Sequence, residues 1–150
     1  MAKRHEIVPA RDTPRHPIHT ALASFPAVCF TLVLLTDIAY WRTANLMWHN
    51  FSSWLLLVGL VTGALSIVAG AIDFMVRRRR SLHGGWLHAA LGLVVLLLAL
   101  VNSLVHAGDG WTGVVPYGLL LSGLTVVLMI AAVWFGRSVA DDHEVEVRHA

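Results

Sequence analysis

The sequence predicts an all-α integral membrane protein, a four-helix transmembrane bundle, on three observations. Of 150 residues, 57% are apolar and only 13% charged. The apolar residues gather into four blocks of roughly 22, and a bilayer core about 30 Å thick takes about 20 such residues per helix. The basic residues lie almost entirely on one side of that alternation. A soluble domain of this length could not hide so much apolar surface.

Residues 1–17 carry charge and proline but no apolar face, and they read as a polar arm. The first span, about 18–40, opens on RHPIHTALASFP. Pro17 suits the first turn of a helix, where its missing N–H costs no bond and its φ is preset. With that start fixed, His19 is aimed into the bundle, whereas His16, on the aqueous side of the proline, stays at the surface. Pro26 inside the span is expected to kink it. The block is too long for a cleaved signal peptide and has no small-x-small site. PAVC at 26–29 departs from a lipoprotein box, because Val28 stands where a small residue is required. The lone Cys29 allows no internal disulfide.

The second span, about 52–76, places Gly59, Gly63, Ser66, Gly70 and Asp73 on one helical stripe. Small residues there let another backbone approach closely, and the same stripe could make room for a flat ring. Leu56 reads as lying off the stripe, facing lipid. In the third span, about 86–107, His88 and His106 are five turns apart and share a face with Gly92, Ala99 and Asn102. The fourth, about 114–136, repeats the small-residue pattern more weakly with Gly118, Ser122, Thr125, Ala132 and Gly136. Residues 137–150, with Asp141, Asp142, Glu144 and Glu146, read as an unstructured polar tail.

Ten of the 11 Lys and Arg residues (Lys3, Arg4, Arg11, Arg15, Arg77 to Arg80, Arg137 and Arg148) fall on one side of a four-span arrangement, and only Arg42 on the other. The positive-inside rule then puts both termini in the cytoplasm of a multi-pass protein of the bacterial inner membrane. Trp86 and Trp134 mark inner ends of spans, and Trp41, Trp54, Trp111, Tyr40 and Tyr117 mark outer ends. The run RRRR is a topogenic clamp, and no nucleic-acid partner is expected.

Polar groups gather at two depths. The inner level holds His19, Asp73 and His88, with His16 and His83 in nearby loops. The outer level holds Asp37, Asn102 and His106, with His49 and Asn50 in a first outer loop at 41–51. Ionisable residues in spans are costly and are functional candidates by default. Near an interface that cost falls, so hydrogen-bonded pairs that fix the bundle are the competing explanation, and Arg77 could neutralise Asp73 one turn away.

HPIHT, TDIAYW, GLVTGALSIVAGAIDF, GWLHA, LVNSLVHAGD and PYGLLLSG, in that order, resemble a family of predicted bacterial inner-membrane proteins, domain of unknown function 2231. The likeness covers about residues 16–140. Its most specific elements are a His-Pro-x-His-Pro opening and the Asp-Phe closing the second span. The family pattern falls on His16, Pro17, His19, Asp37, Gly59, Gly63, Gly70, Asp73, Trp86 and His88. Thr20 replaces the last proline of the opening, and Gly92 stands where an asparagine is expected. The resemblance implies no established activity. Some relatives carry fused Rieske-type or cytochrome c-like domains, which points to electron transfer by association alone.

Three readings follow. In a redox module, His19 and His88 would ligate a b-type haem from either side, with an outer site on His49 and His106, and with Asp73, Asp37 and Asn102 orienting or balancing the imidazoles. In a structural or assembly subunit, which is no enzyme as an isolated chain, the same residues lock helices while the basic face docks a membrane-complex partner or anionic lipid. In a homo-oligomer they would line a proton or metal pathway. Nucleophile elbows, phosphate loops and close metal-ligand repeats are absent from the sequence.

Overall fold

A computed structural model describes residues 17–77, 82–108 and 111–149, with side chains described within 24–72, 89–108 and 112–134 and at Met75. The chain forms α1 (Pro17–Thr43), α2 (Leu46–Arg77), α3 (Leu82–His106) and α4 (Tyr117–His149), with a single 3-10 turn at Trp111–Gly113. Lipid offers nothing to hydrogen-bond a peptide group, so each apolar block closes its backbone bonds within its own helix. Among the described residues, four segments are long and apolar enough to cross a membrane: Ser24–Thr43, Leu46–Ile72, Ala89–His106 and Tyr117–Trp134. Successive helices pack against one another and α4 returns to α1, giving an up-down bundle. The α1–α2 and α3–α4 connections lie at one end, called here the loop end.

Each helix turns a stripe with heptad-type alternation of four and three residues toward the bundle. The stripes are Pro26, Phe30, Val33, Asp37 and Tyr40 on α1, and Ser52, Leu56, Gly59 and Gly63 on α2. On α3 and α4 they are Val95, Ala99, Asn102 and His106, and Gly118, Ser122, Thr125 and Ala132. This spacing suits close packing of nearly antiparallel helices. The apolar layer is built from Phe30, Val33, Leu56, Val95 and Ala99, flanked by Leu55, Leu60, Leu96, Leu128 and Met129. Two glycines bring α2 close to its neighbours. A β-carbon on Gly59 would lie 2.5 Å from Phe30 Cε1, and one on Gly63 would overlap a methyl of Leu96. Leu56 does not face lipid as its register first suggested: it is 1% exposed. It follows Ser52 by four residues and precedes Gly59 by three, so it belongs to the buried stripe.

The connection between α1 and α2 is far shorter than the 41–51 loop the polarity of that stretch suggested. Ala44 adopts φ 51° and its N–H donates to the Tyr40 carbonyl at 2.7 Å, a left-handed residue closing α1. Asn45 Oδ1 then accepts from the Met47 N–H at 3.0 Å and caps α2. His49 and Asn50 are therefore helical. Polarity marks where lipid gives way to water, and capping residues mark where the helix ends. The same distinction applies at 137–149, which continues α4. That stretch has neither Pro nor Gly, and Glu144 precedes Arg148 by one turn.

Candidate functional site: a buried carboxylate and imidazole at the loop end

Asp37 sits on the inner stripe of α1, two turns before its C-terminal cap, and is 0% exposed. An uncompensated carboxylate there would be costly, and three side chains from three other helices surround it. Ser52 of α2 donates to Oδ1 at 2.6 Å, and Ser122 of α4 donates to Oδ2 at 2.6 Å. His106 Nε2, on α3, lies 2.9 Å from Oδ1. The network then widens. Asn102 Nδ2 donates to Ser122 Oγ at 2.8 Å, and Thr36 Oγ1 lies 2.7 Å from Ser52 Oγ.

The other nitrogen of His106, Nδ1, is 3.0 Å from the Asn102 carbonyl. A carbonyl can only accept, so Nδ1 carries hydrogen. A further proton must lie between Nε2 and Oδ1, because two lone pairs at 2.9 Å would repel rather than bond. The pair therefore holds one proton and is neutral as a unit, whether written as imidazolium and carboxylate or as imidazole and acid.

Packing holds the imidazole as firmly as hydrogen bonding does. Gly118 faces it without a side chain, and a β-carbon there would lie 2.8 Å from His106 Cε1. His49 stacks on the same ring, with centroids 5.8 Å apart and planes at 8°. Tyr40 lies tilted against His49 at 5.9 Å. Among the described residues, His49 Nε2 and Asn102 Oδ1 are buried without a hydrogen-bond partner.

The family model for predicted membrane proteins, DUF2231, matches residues 15–149. The chain belongs to the DUF2231 family. No curated relative and no solved structure matches it. Membership of DUF2231 and the four spans together make it a membrane protein in contact with lipid.

Of the residues singled out from the sequence, Asp37, Asn102, His106 and His49 come together at the loop end. The backbones of His19, Asp73 and His88 lie at the opposite end, near the start of α1, the end of α2 and the start of α3. Their side chains fall outside the described residues, as does all of His16. On α2, Gly59 and Gly63 are buried, and Ser66 and Gly70 are half-buried. The outer pair does not fit a haem. Axial ligation needs a free ring nitrogen from each histidine. Both nitrogens of His106 are spent on Asp37 and Asn102, and the two rings lie face to face. Among the described residues no group of three or more metal-ligating side chains gathers.

Sequence reasoning missed Ser52, Thr36 and Tyr40. A signal for Ser52 was present. Extending the α2 stripe from Gly63 through Gly59 and Leu56 by the same alternation reaches Ser52 and then His49.

Proposed function

We propose that the protein is a non-catalytic membrane module in which a buried carboxylate and imidazole hold one proton between them and tie four helices into a fixed bundle. The observation that carries this reading is the saturation of the pair: two hydroxyl donors and the His106 imidazole converge on Asp37 while both nitrogens of His106 are engaged. Removing the proton would leave a net negative charge at a site whose other contacts are neutral hydroxyls and an amide.

Holding, rather than conduction, is the better supported behaviour. Directly past the network lies the apolar layer of Phe30, Val33, Leu56, Val95 and Ala99, beside which the Thr125 hydroxyl turns back to the Leu121 carbonyl, so no hydrogen-bonded path continues among the described residues. Charge asymmetry supports placing the loop end outside the bacterial inner membrane, with both termini cytoplasmic. Reconstitution into liposomes with an internal pH dye and an imposed gradient tests the reading. No protein-dependent proton flux is expected. A flux that disappears in Asp37→Asn would overturn it in favour of a pathway.

A second reading, a b-type haem held by His19 and His88 with Asp73 beside them, is favoured by one observation. Gly92 precedes Val95 by three residues and Ala99 by seven, is itself half-buried, and lies one turn from His88. A β-carbon there would meet nothing within 4 Å, as at Gly123 on α4 and unlike the filled surroundings of Gly59 and Gly63. Such space on the histidine line is what a macrocycle needs. The absorption spectrum of protein expressed with ample haem tests this. A Soret band lost in both His19→Ala and His88→Ala supports it, and a featureless wild-type spectrum rejects it.

A further inference from the structure

We propose that the bundle is two hairpins, α1–α2 and α3–α4, clasped by Asp37, and that release of this clasp opens the seam between them at the loop end. The inference rests on the tie at Asp37 described above and says how the molecule moves when that tie is undone.

Chain connectivity defines the halves. The α1–α2 and α3–α4 connections lie at the loop end, each inside one hairpin, whereas the link between hairpins, from Arg77 to Leu82, lies at the opposite end. At the loop end, non-covalent contacts alone hold the halves together. Packing follows the same division: α1 packs most extensively on α2 and α3 on α4, and the contacts of α2 with α3 and of α1 with α4 are slighter. Glycines seal each half from within, Gly59 against Phe30 in the first and Gly118 against His106 in the second. Asp37 crosses the seam to both helices of the other half, to His106 at 2.9 Å and to Ser122 at 2.6 Å.

Three levels follow one another along the seam. Deepest is a close contact of Gly63 on α2 with the side chain of Leu96 on α3, which serves as the pivot. Nearest the loop end is the clasp. Between them the two faces do not match: Phe30, Val33 and Leu56 of the first half stand across a narrow void from Asn102, Ser122 and Thr125 of the second. Apolar side chains cannot answer polar ones, and the buried Asn102 Oδ1 is left without a partner. Water entering the seam would satisfy it, so opening gains a hydrogen bond that the closed seam lacks. The bonds of Asp37 act against that gain and keep the seam shut. The arm of α2 from Gly63 to Leu46 is about 26 Å long at 1.5 Å per residue, so each opening of about 10° parts the loop end by roughly 4–5 Å.

Pulsed dipolar electron paramagnetic resonance on full-length protein in lipid bilayers, with Cys29 replaced by serine, tests the clasp. Spin labels go on exposed positions: Met47 with Leu120 across the seam at the loop end, Ile72 with Trp134 across it beyond the pivot, and Leu32 with Leu57 and Leu104 with Leu120 inside the hairpins. Asp37→Ala removes the clasp, and Asp37→Asn is the milder variant should the first not keep its within-hairpin distances. The Met47–Leu120 distance should lengthen by about 5 Å or more relative to wild type, while the other three pairs do not lengthen. An unchanged Met47–Leu120 distance overturns the proposal. Lengthening of all four pairs together, or loss of the within-hairpin distances in both variants, also overturns it, because the hairpins would then not be units. Failure of the underlying reading looks different: nitrogen-15 NMR of wild-type His106 would show no hydrogen on Nδ1 and no bond to Asp37.

Discussion

Asp37 accepts from Ser52 and Ser122 and shares a proton with His106, each on a different helix, and the consequences of losing each partner differ. Ser122→Ala strands two groups, Asp37 Oδ2 and Asn102 Nδ2, whereas Ser52→Ala strands one carboxylate position and frees Thr36 to turn to its own carbonyls. A stranded buried polar group costs about 1–3 kcal/mol. Ser122→Ala should therefore lower thermal stability in detergent more than Ser52→Ala does, and equal losses would argue against the partition. Gly118→Ala acts on the same imidazole by contact alone. With the new methyl 2.8 Å from Cε1, His106 must shift, and overpacking of this kind costs about 1–3 kcal/mol. At this scale the sequence displayed Asp37, Asn102 and His106 as polar residues in apolar runs. It did not display that they touch. Asp37 and His106 are 69 residues apart, and only the docking of α1 on its neighbours brings them together.

At the scale of the element, α2 is the most informative helix, because its buried stripe carries three kinds of residue. Gly63→Leu forces a side chain into Leu96 and should destabilise the bundle by about 1–3 kcal/mol. Leu56→Ala opens a cavity in the apolar layer and should cost about 2–5 kcal/mol. Gly92→Ala on α3 is the contrast. With nothing within 4 Å of the new methyl, it should be neutral or gain up to about 1 kcal/mol from helix propensity. Chemical unfolding of the three variants checks the order, and a loss at Gly92 as large as at Gly63 would contradict the packing described. Spans were legible because lipid demands long apolar runs, and helix ends were not, because they follow capping. Asn45 before an apolar run is a readable capping signal, yet the polarity of WRTANLMWHN outweighed it. Leu56 was misplaced by following the stripe only from Gly59 onward.

For the whole molecule, the asymmetry of basic residues predicts an orientation with the loop end outside and both termini inside. With Cys29 replaced, a cysteine at Asp109 should react with an impermeant reagent in intact cells and one at Ser81 should not. Equal labelling would reject that orientation. Burial inside the span windows is modest, from 17% for α2 to 39% for α1, so much of each helix faces lipid and contributes no packing. The polar network therefore carries a disproportionate share of the specificity. An ordinary interhelical hydrogen bond in a membrane contributes only about 0.6 kcal/mol. A buried pair broken on one side costs about 3–5 kcal/mol, because the survivor is left charged or unsatisfied. A double-mutant cycle on Asp37→Ala and His106→Ala, read by equilibrium unfolding in lipid-like detergent, separates these magnitudes. Each single change should cost about 3–5 kcal/mol, and the double should cost much less than their sum. Two small, additive losses of about 0.6 kcal/mol each would contradict it, leaving Asp37 and His106 as incidental neighbours.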